Sequence, residues 1–302
     1  MRPASLRPAT ARAAEVAGNK LASRLSKGEK RNRKRMAEVG AVYDLTPVVR
    51  TPADIINTGQ PGQAEPTPGP KARDKWLTAS VEATTAQVIA AVFGEACRRD
   101  PDHRRPWVAL VDGNAHQIAR IHAEAAQRDV TVRIVVDFIH VLEYLWKAAW
   151  SFFAEGDQAA EEWVAGHARR ILEGGSGVVA AAIRRKATTN DLPPGIRKGA
   201  DACADYLIAK RPYLDYAHAL SQGWPIATGV IEGACRHPVK DRMDITGARW
   251  GLPGAEAILK LRALVTNGDF DAYWDYHLAQ EHQRVHRSRY LGGHIPGETM
   301  AA

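Results

Sequence analysis

The 302-residue sequence has no apolar run of membrane-spanning length; its longest mostly apolar stretch, Val88 to Phe93, is soon followed by Glu95. A spanning helix needs about 18 to 20 such residues, so no membrane partner is expected, and nothing at the start reads as a secretory signal. Cysteine is scarce. Cys97, Cys203 and Cys235 stand far apart and form no Cys-x-x-Cys pair. That disfavours a disulfide framework and a zinc ribbon, and makes the cytoplasm the expected compartment. No Gly-x-x-x-x-Gly-Lys-Ser/Thr run occurs, so a phosphate-cradling NTPase loop is excluded. Gly174-Gly175-Ser176-Gly177-Val178 lacks the last glycine of a nucleophile elbow. His122-Ala123-Glu124 opens like a zinc-deaminase signature, but no Pro-Cys-x-x-Cys follows. His282 and His286 have zinc-ligand spacing, yet Glu281, Arg284 and Arg287 around them read as a solvated face.

The charge that is present is concentrated. Residues 1–35 carry eleven lysines and arginines against Glu15 and Glu29, a net +9; the whole chain is +7, so the remainder sums to −2. The densest part runs from Lys27 to Arg35 and includes Lys30, Arg31, Arg33, Lys34 and Arg35. Such an arm suits a polyanion, because each phosphate it neutralises releases condensed counterions; a solvated surface helix is the plainer reading. Apolar residues make up 45% of the chain, enough to bury a core in one or two domains.

Periodicity predicts a helix over residues 4–26 and a strand from Met36 to about Asp44. Four prolines and three glycines between Gly59 and Pro70 predict a loop, and helical spacing returns from Val81 to Arg98. Val108 to Val111 is a short continuous apolar run, as a strand buried on both faces requires, and it ends in Asp112-Gly113-Asn114. A helix is expected over Ala115 to Gln127, then a second buried strand over Val132 to Val136 ending in Asp137, then a helix opening at Phe138. Strand, helix and strand in such short order predict a parallel βαβ unit. Residues 141–223 read as almost wholly helical, and a further helix after Pro225 carries Glu232.

In an open α/β sheet, ligands gather at the carboxyl ends of the strands, where Asp112 and Asp137 both fall. Carboxylates there can hold Mg²⁺, which takes hard oxygen ligands and keeps positions for phosphate. The plainer role for Asp112 is to cap the helix that follows.

The stretches Val111–Asn114, Val135–Trp146 and Thr228–Arg242 together resemble the ISKra class of insertion-sequence transposases, relatives of the Mutator-like DDE enzymes. Thr246–Trp250, Ile258–Ala263 and Gly28–Glu38 resemble the same class. The resemblance implies an α/β fold: an RNase H-like core, a mixed sheet flanked by helices, with a large all-helical insertion and a helical C-terminal tail. It divides the chain into a basic arm (1–35), the first part of the core (36–140, with a loop at 58–75), the insertion (141–224) and a closing segment (225–302). It implies metal-dependent cleavage and strand transfer of DNA, with Asp112 as the second catalytic aspartate, Glu232 as the catalytic glutamate, and two Mg²⁺ or Mn²⁺ ions in an intact site. Asp137 and His140 match an auxiliary Asp-x-x-His pair. Arg236, Lys240 and Arg242 join the basic arm as expected DNA contacts; Glu232, Arg236 and Lys240 share one stripe of an α-helix, or form i, i+4 surface pairs. The implied partners are element-end and target DNA and further copies of the chain on DNA, in the bacterial cytoplasm at the nucleoid.

Relatives carry the first aspartate in an Asp-Gly-Lys-Gly-like strand just before a Met-Arg similar to Met1-Arg2. The expectation is therefore an N-terminally truncated chain, with Asp44 as the sole internal substitute at a strand end. Two alternatives stand beside the active transposase: a catalytically inactive DNA-binding remnant, and a host nuclease of RNase H-like fold.

Overall fold

The computed structural model describes residues 36–56, 65–245 and 250–290. The arm with Lys30, Arg31, Arg33, Lys34 and Arg35, and the helix expected over 4–26, lie outside the described residues, as does the first half of the predicted Gly/Pro-rich loop. Strand β1 (Glu38–Leu45) is followed by the short helix α1 (Pro52–Ile55), strand β2 (Ala72–Ser80) and helix α2 (Thr85–Arg99). Strand β3 (Trp107–Val111), helix α3 (Ala115–Gln127) and strand β4 (Val132–Val136) come next. The helices α4 (Phe138–Ala149), α5 (Gln158–Leu172), α6 (Ser176–Thr189), α7 (Pro194–Ala209) and α8 (Tyr216–Ser221) follow in succession. After them come α9 (Gly229–Ala234), a π-helical turn (Cys235–Lys240), α10 (Asp241–Met243), α11 (Leu252–Asn267) and α12 (Phe270–Val285).

The chain is mixed α/β. Among the described residues the strands form two separate pairs, β1 with β2 and β3 with β4, where the resemblance implies one mixed sheet. The β3–β4 pair is parallel and in simple register from Trp107↔Val132 to Val111↔Val136, the βαβ unit that the two apolar runs predict. The chain divides into two compact units: Tyr43–Asp74 with Thr85–Glu232, and the described parts of Met1–Val42, Lys75–Thr84 and Gly233–Ala302.

In the first unit one continuous core runs from Ile89 on α2 to Ile226. Val111, Ile118, Ile121 and Val136 from the βαβ unit share it with Val141, Leu145, Ile171, Ile183 and Leu207. The helical segment expected as an insertion is thus packed into the same core as the strands. Its helices approach closely because small residues face one another: Ala148, Ala149, Ala200 and Ala204 are fully buried. A Cβ added at Gly199 on α7 would lie 2.2 Å from the Lys147 carbonyl oxygen on α4, so only glycine allows that approach.

In the second unit two polar side chains, the half-buried Asn267 and the buried Glu256, hold β2 and the turn that follows it. The Asn267 side chain donates to the Leu77 carbonyl at 3.1 Å and accepts from the Leu77 N–H at 2.7 Å, as a neighbouring strand would. Glu256 accepts from the Ser80 hydroxyl and from the Val81 N–H at 2.8 Å each, and the same hydroxyl accepts from the Glu82 and Ala83 N–H groups. This turn explains two departures from the sequence pattern. The helix begins at Thr85, after the turn, where spacing alone predicts Val81; and β2 occupies Ala72–Ser80, so strand starts inside the expected 58–75 loop. Arg73, Asp74 and Lys75 are exposed and hide the alternation of Leu77 and Ala79 that marks a strand.

Candidate active site

Strands β3 and β4 end together, and the residues that follow are Asp112 and Asp137. Asp112 is exposed. Its Oδ1 accepts from the Asn114 N–H at 2.8 Å, and among the described residues no donor is recorded for Oδ2. The cap of α3 is Asn114, whose side chain accepts from His116 N–H at 2.9 Å and Gln117 N–H at 3.4 Å. Capping is therefore done two residues on, and the Asp112 carboxylate is left facing solvent. The Asp112 carbonyl accepts from the Tyr206 hydroxyl at 3.2 Å. Between Asp112 and Asn114, Gly113 has φ +91°, and a Cβ there would stand 2.6 Å from the Tyr206 oxygen. Backbone conformation and close approach both require glycine.

Asp137 is the opposite case. It is 1% exposed, and both carboxylate oxygens are occupied. Oδ1 caps α4 by accepting from the Ile139 N–H at 2.7 Å. Oδ2 accepts from the Thr228 N–H at 2.8 Å and from the Thr228 hydroxyl. Thr228 in turn begins α9, since its carbonyl accepts from the Glu232 N–H at 3.1 Å. The end of β4 is thereby tied to the turn that presents Glu232. A further bond joins the same two segments, from the Phe138 N–H to the Ile226 carbonyl at 2.8 Å. Glu232 is exposed, and no partner for its carboxylate is recorded among the described residues.

Tyrosines surround Asp137. Burial pushes the Tyr43 phenol up, and the Asp137 charge adds to it. The Tyr206 phenol is also raised, by burial first and then by Tyr144, Asp112, Asp137 and Glu143. Tyr216, fully buried and donating to the Val136 carbonyl at 2.8 Å, is raised by burial, with Tyr206 and Asp137 contributing. Negative potential collects at this end of the strands, and the phenols stay neutral within it. Tyr206 stacks on Tyr144 with centroids 3.9 Å apart, and Lys147 sits over the outer ring at 4.7 Å. His140, on the first turn of α4, lies 3.3 Å from Glu143 through Nδ1.

The expected cations are placed differently. Arg236, Lys240 and Arg242 are exposed and belong to the second unit. The backbone that carries Glu232, Arg236 and Lys240 is not one regular α-helix, because it widens to a π-helical turn at Cys235–Lys240. Pro238 lies inside that turn and has no N–H to give, which removes one α-helical bond. The Arg262 guanidinium bonds the carbonyls of Pro238, at 3.0 Å, and His237, satisfying part of what the turn leaves open. Asp44, the substitute strand-end carboxylate, is held by Arg105 at 2.9 Å and Arg99 at 3.5 Å.

As a metal site the donors are of the right kind. Among the described residues Glu232 has no recorded donor and Asp112 keeps Oδ2 open, its Oδ1 taking the Asn114 N–H, whereas Asp137 and Asp44 are already engaged. Among the described residues no group of three or more His, Cys, Asp or Glu side chains gathers at one point. No helix among them is long and apolar enough to cross a membrane. Sequence reasoning missed Thr228, Tyr206 and Asn114; of these only Asn114 carried a signal, as a good cap residue directly before a helical run. Comparison of the chain with family models, with curated proteins and with solved structures found no match.

Proposed function

We propose that this chain is the catalytic part of a DDE-type DNA transposase of the ISKra class, with Asp112 and Glu232 as two of its three metal-holding carboxylates. The observation that supports the reading is the tie from Asp137 to Thr228, which fastens the start of the helix carrying Glu232 to the end of β4, the strand paired with the one that leads into Asp112. Among the described residues neither carboxylate has a recorded cationic partner: Asp112, at a strand end, accepts only from the Asn114 N–H of its own turn, and Glu232 follows the turn fastened to Asp137. A divalent cation, when bound, would lower the barrier to phosphodiester displacement by neutralising charge on the reacting oxygens. The chain's own part is to orient the two carboxylates. Tyr206 and Gly113 hold the Asp112 turn, and Asp137 and Thr228 hold the turn of Glu232. The RNase H-like core is part of the same proposal, supported by the parallel βαβ unit and its strand-end aspartate.

A second reading, DNA binding without cleavage, is favoured by Asp44, whose two arginine partners leave it unfit to serve as the third ligand. Incubation of the purified chain with element-end DNA in Mg²⁺ or Mn²⁺ separates the cases. Cleavage that Asp112→Asn or Glu232→Gln abolishes supports the catalytic reading. A chain that binds but never cuts leaves the binding-only reading. Cleavage by the 302-residue chain that is lost in Asp44→Ala would reassign the third carboxylate.

A further inference from the structure

The β3–β4 pair has a cavity at its other end. At its start, opposite Asp112, lies an open cavity of about 480 Å³ lined by His103, Trp107, Asp129, Arg133, His218 and Trp224, with Arg105 at its edge. Trp107 and Val132 open the two strands, so five residues of strand, roughly 16 Å, separate this cavity from Asp112. Its walls are aromatic to an unusual degree. His103 lies edge-on to Trp107 with centroids 5.4 Å apart, and His218 edge-on to Trp224 at 5.2 Å. Trp107 is held in place by its Nε1–H, which donates to Asp100 at 3.0 Å. Arg105 is committed elsewhere, to Asp44 and to the Arg99 carbonyl at 2.6 Å. Arg133 is not: it is exposed, and among the described residues no ion-pair or hydrogen-bond partner is recorded for it.

We infer that this cavity is a nucleotide-binding site, separate from the carboxylate end and taking a base and a phosphate together. Rings accept any base through its π face, which gives affinity without sequence choice. The guanidinium of Arg133 supplies the planar, two-pronged donor that a phosphate fits, and does so without an internal carboxylate to displace. Asp129, in a left-handed backbone conformation at the turn into β4, is placed to accept from a sugar hydroxyl or a base amino group and disfavours bare inorganic anions. The ligand is thus a nucleoside phosphate, either free or as one unit of a single strand. The site does not rest on the metal-dependent reading above.

Calorimetric titration of the full chain in the presence of EDTA, with adenosine 5′-monophosphate, adenosine and inorganic phosphate, tests it. The monophosphate should bind at least about tenfold more tightly than either fragment, and Arg133→Ala should remove about tenfold of that affinity while leaving adenosine unchanged. His218→Ala should weaken adenosine and its monophosphate alike, because it removes a ring. Displacement of labelled monophosphate by a short single-stranded oligonucleotide identifies a strand as the source; tight monophosphate binding without displacement identifies the free nucleotide. Monophosphate binding no tighter than phosphate, or unchanged in Arg133→Ala with its fold verified by circular dichroism, overturns the inference.

Discussion

Asp137 and Thr228 are fastened to each other across 91 positions of sequence, the buried carboxylate taking both the backbone N–H and the hydroxyl of the threonine. Asp137 therefore acts as a clamp that sets where the helix carrying Glu232 begins. Asp137→Asn should destabilise the first unit by about 2–4 kcal/mol, because an amide must turn a donor toward at least one of the groups that now donate to it. Thr228→Val keeps the N–H and loses only the hydroxyl, so about 1.5–3 kcal/mol is expected, as for a hydrogen bond to a charged group. Urea unfolding of the two variants measures both; a change under about 0.5 kcal/mol in Asp137→Asn would show that Asp137 is no clamp.

Gly113 and Tyr206 should be coupled. Gly113→Ala meets both a left-handed backbone and the tyrosine oxygen, so a loss of about 1–3 kcal/mol is expected. In Tyr206→Phe the obstructing oxygen is gone and the nearest ring carbon lies 3.4 Å from the new Cβ. The double variant should therefore lose less than the sum of the two single ones, by roughly 0.5 kcal/mol or more. Additive losses in a double-mutant cycle would mean that the backbone conformation alone demands glycine.

Stability should decline on the alkaline side. Burial raises the Cys203 thiol from 9.0 to about 12, and raises Tyr216 well above 10.0. Both groups are neutral in the folded chain at a pH where the unfolded chain has begun to ionise. Their contribution is complete below about pH 9 and is lost as pH rises from there toward 12, first through Cys203 and then through the tyrosine. Unfolding free energy measured from about pH 8 to about pH 11.5 should fall progressively. A profile flat to about pH 11 would show that the thiol and phenol are not buried as described.

The basic arm should set affinity for DNA without choosing sequence. Replacing Lys30, Arg31, Arg33, Lys34 and Arg35 by alanine removes five charges. The salt slope should fall by about 0.9 for each phosphate that is no longer neutralised. A slope reduced by several units, equally for element-end and unrelated DNA, is the expected result in filter binding or anisotropy across a salt series. An unchanged slope would give the arm a structural role.

How much of this could be read in advance depends on the distance over which each interaction acts. The βαβ unit was legible because its strands are short apolar runs and its helix has the period of an amphipathic face. Asp112 and Asp137 at strand ends followed directly. Their different fates did not, since what separates them is the hydroxyl of Thr228, 91 residues away, and no local pattern encodes it. Strand β2 was hidden for a related reason: its partner groups include Asn267 and Glu256 from a helix 176 to 190 positions downstream. The π-helical turn after Glu232 was hidden too, although Pro238, with no N–H to give, marks where a regular α-helix is interrupted.

Whether Asp112 and Glu232 face one divalent cation can be measured directly. Iron(II) placed in the site, with ascorbate and peroxide, generates hydroxyl radicals that cut the chain within a few ångströms of the metal, and the fragments can be sequenced by mass spectrometry. A shared site predicts cuts near residue 112 and near residue 232 together, suppressed by excess Mg²⁺ and lost at both places in Asp112→Asn. Cuts at only one of the two, or cuts at both that persist in Asp112→Asn, would contradict it.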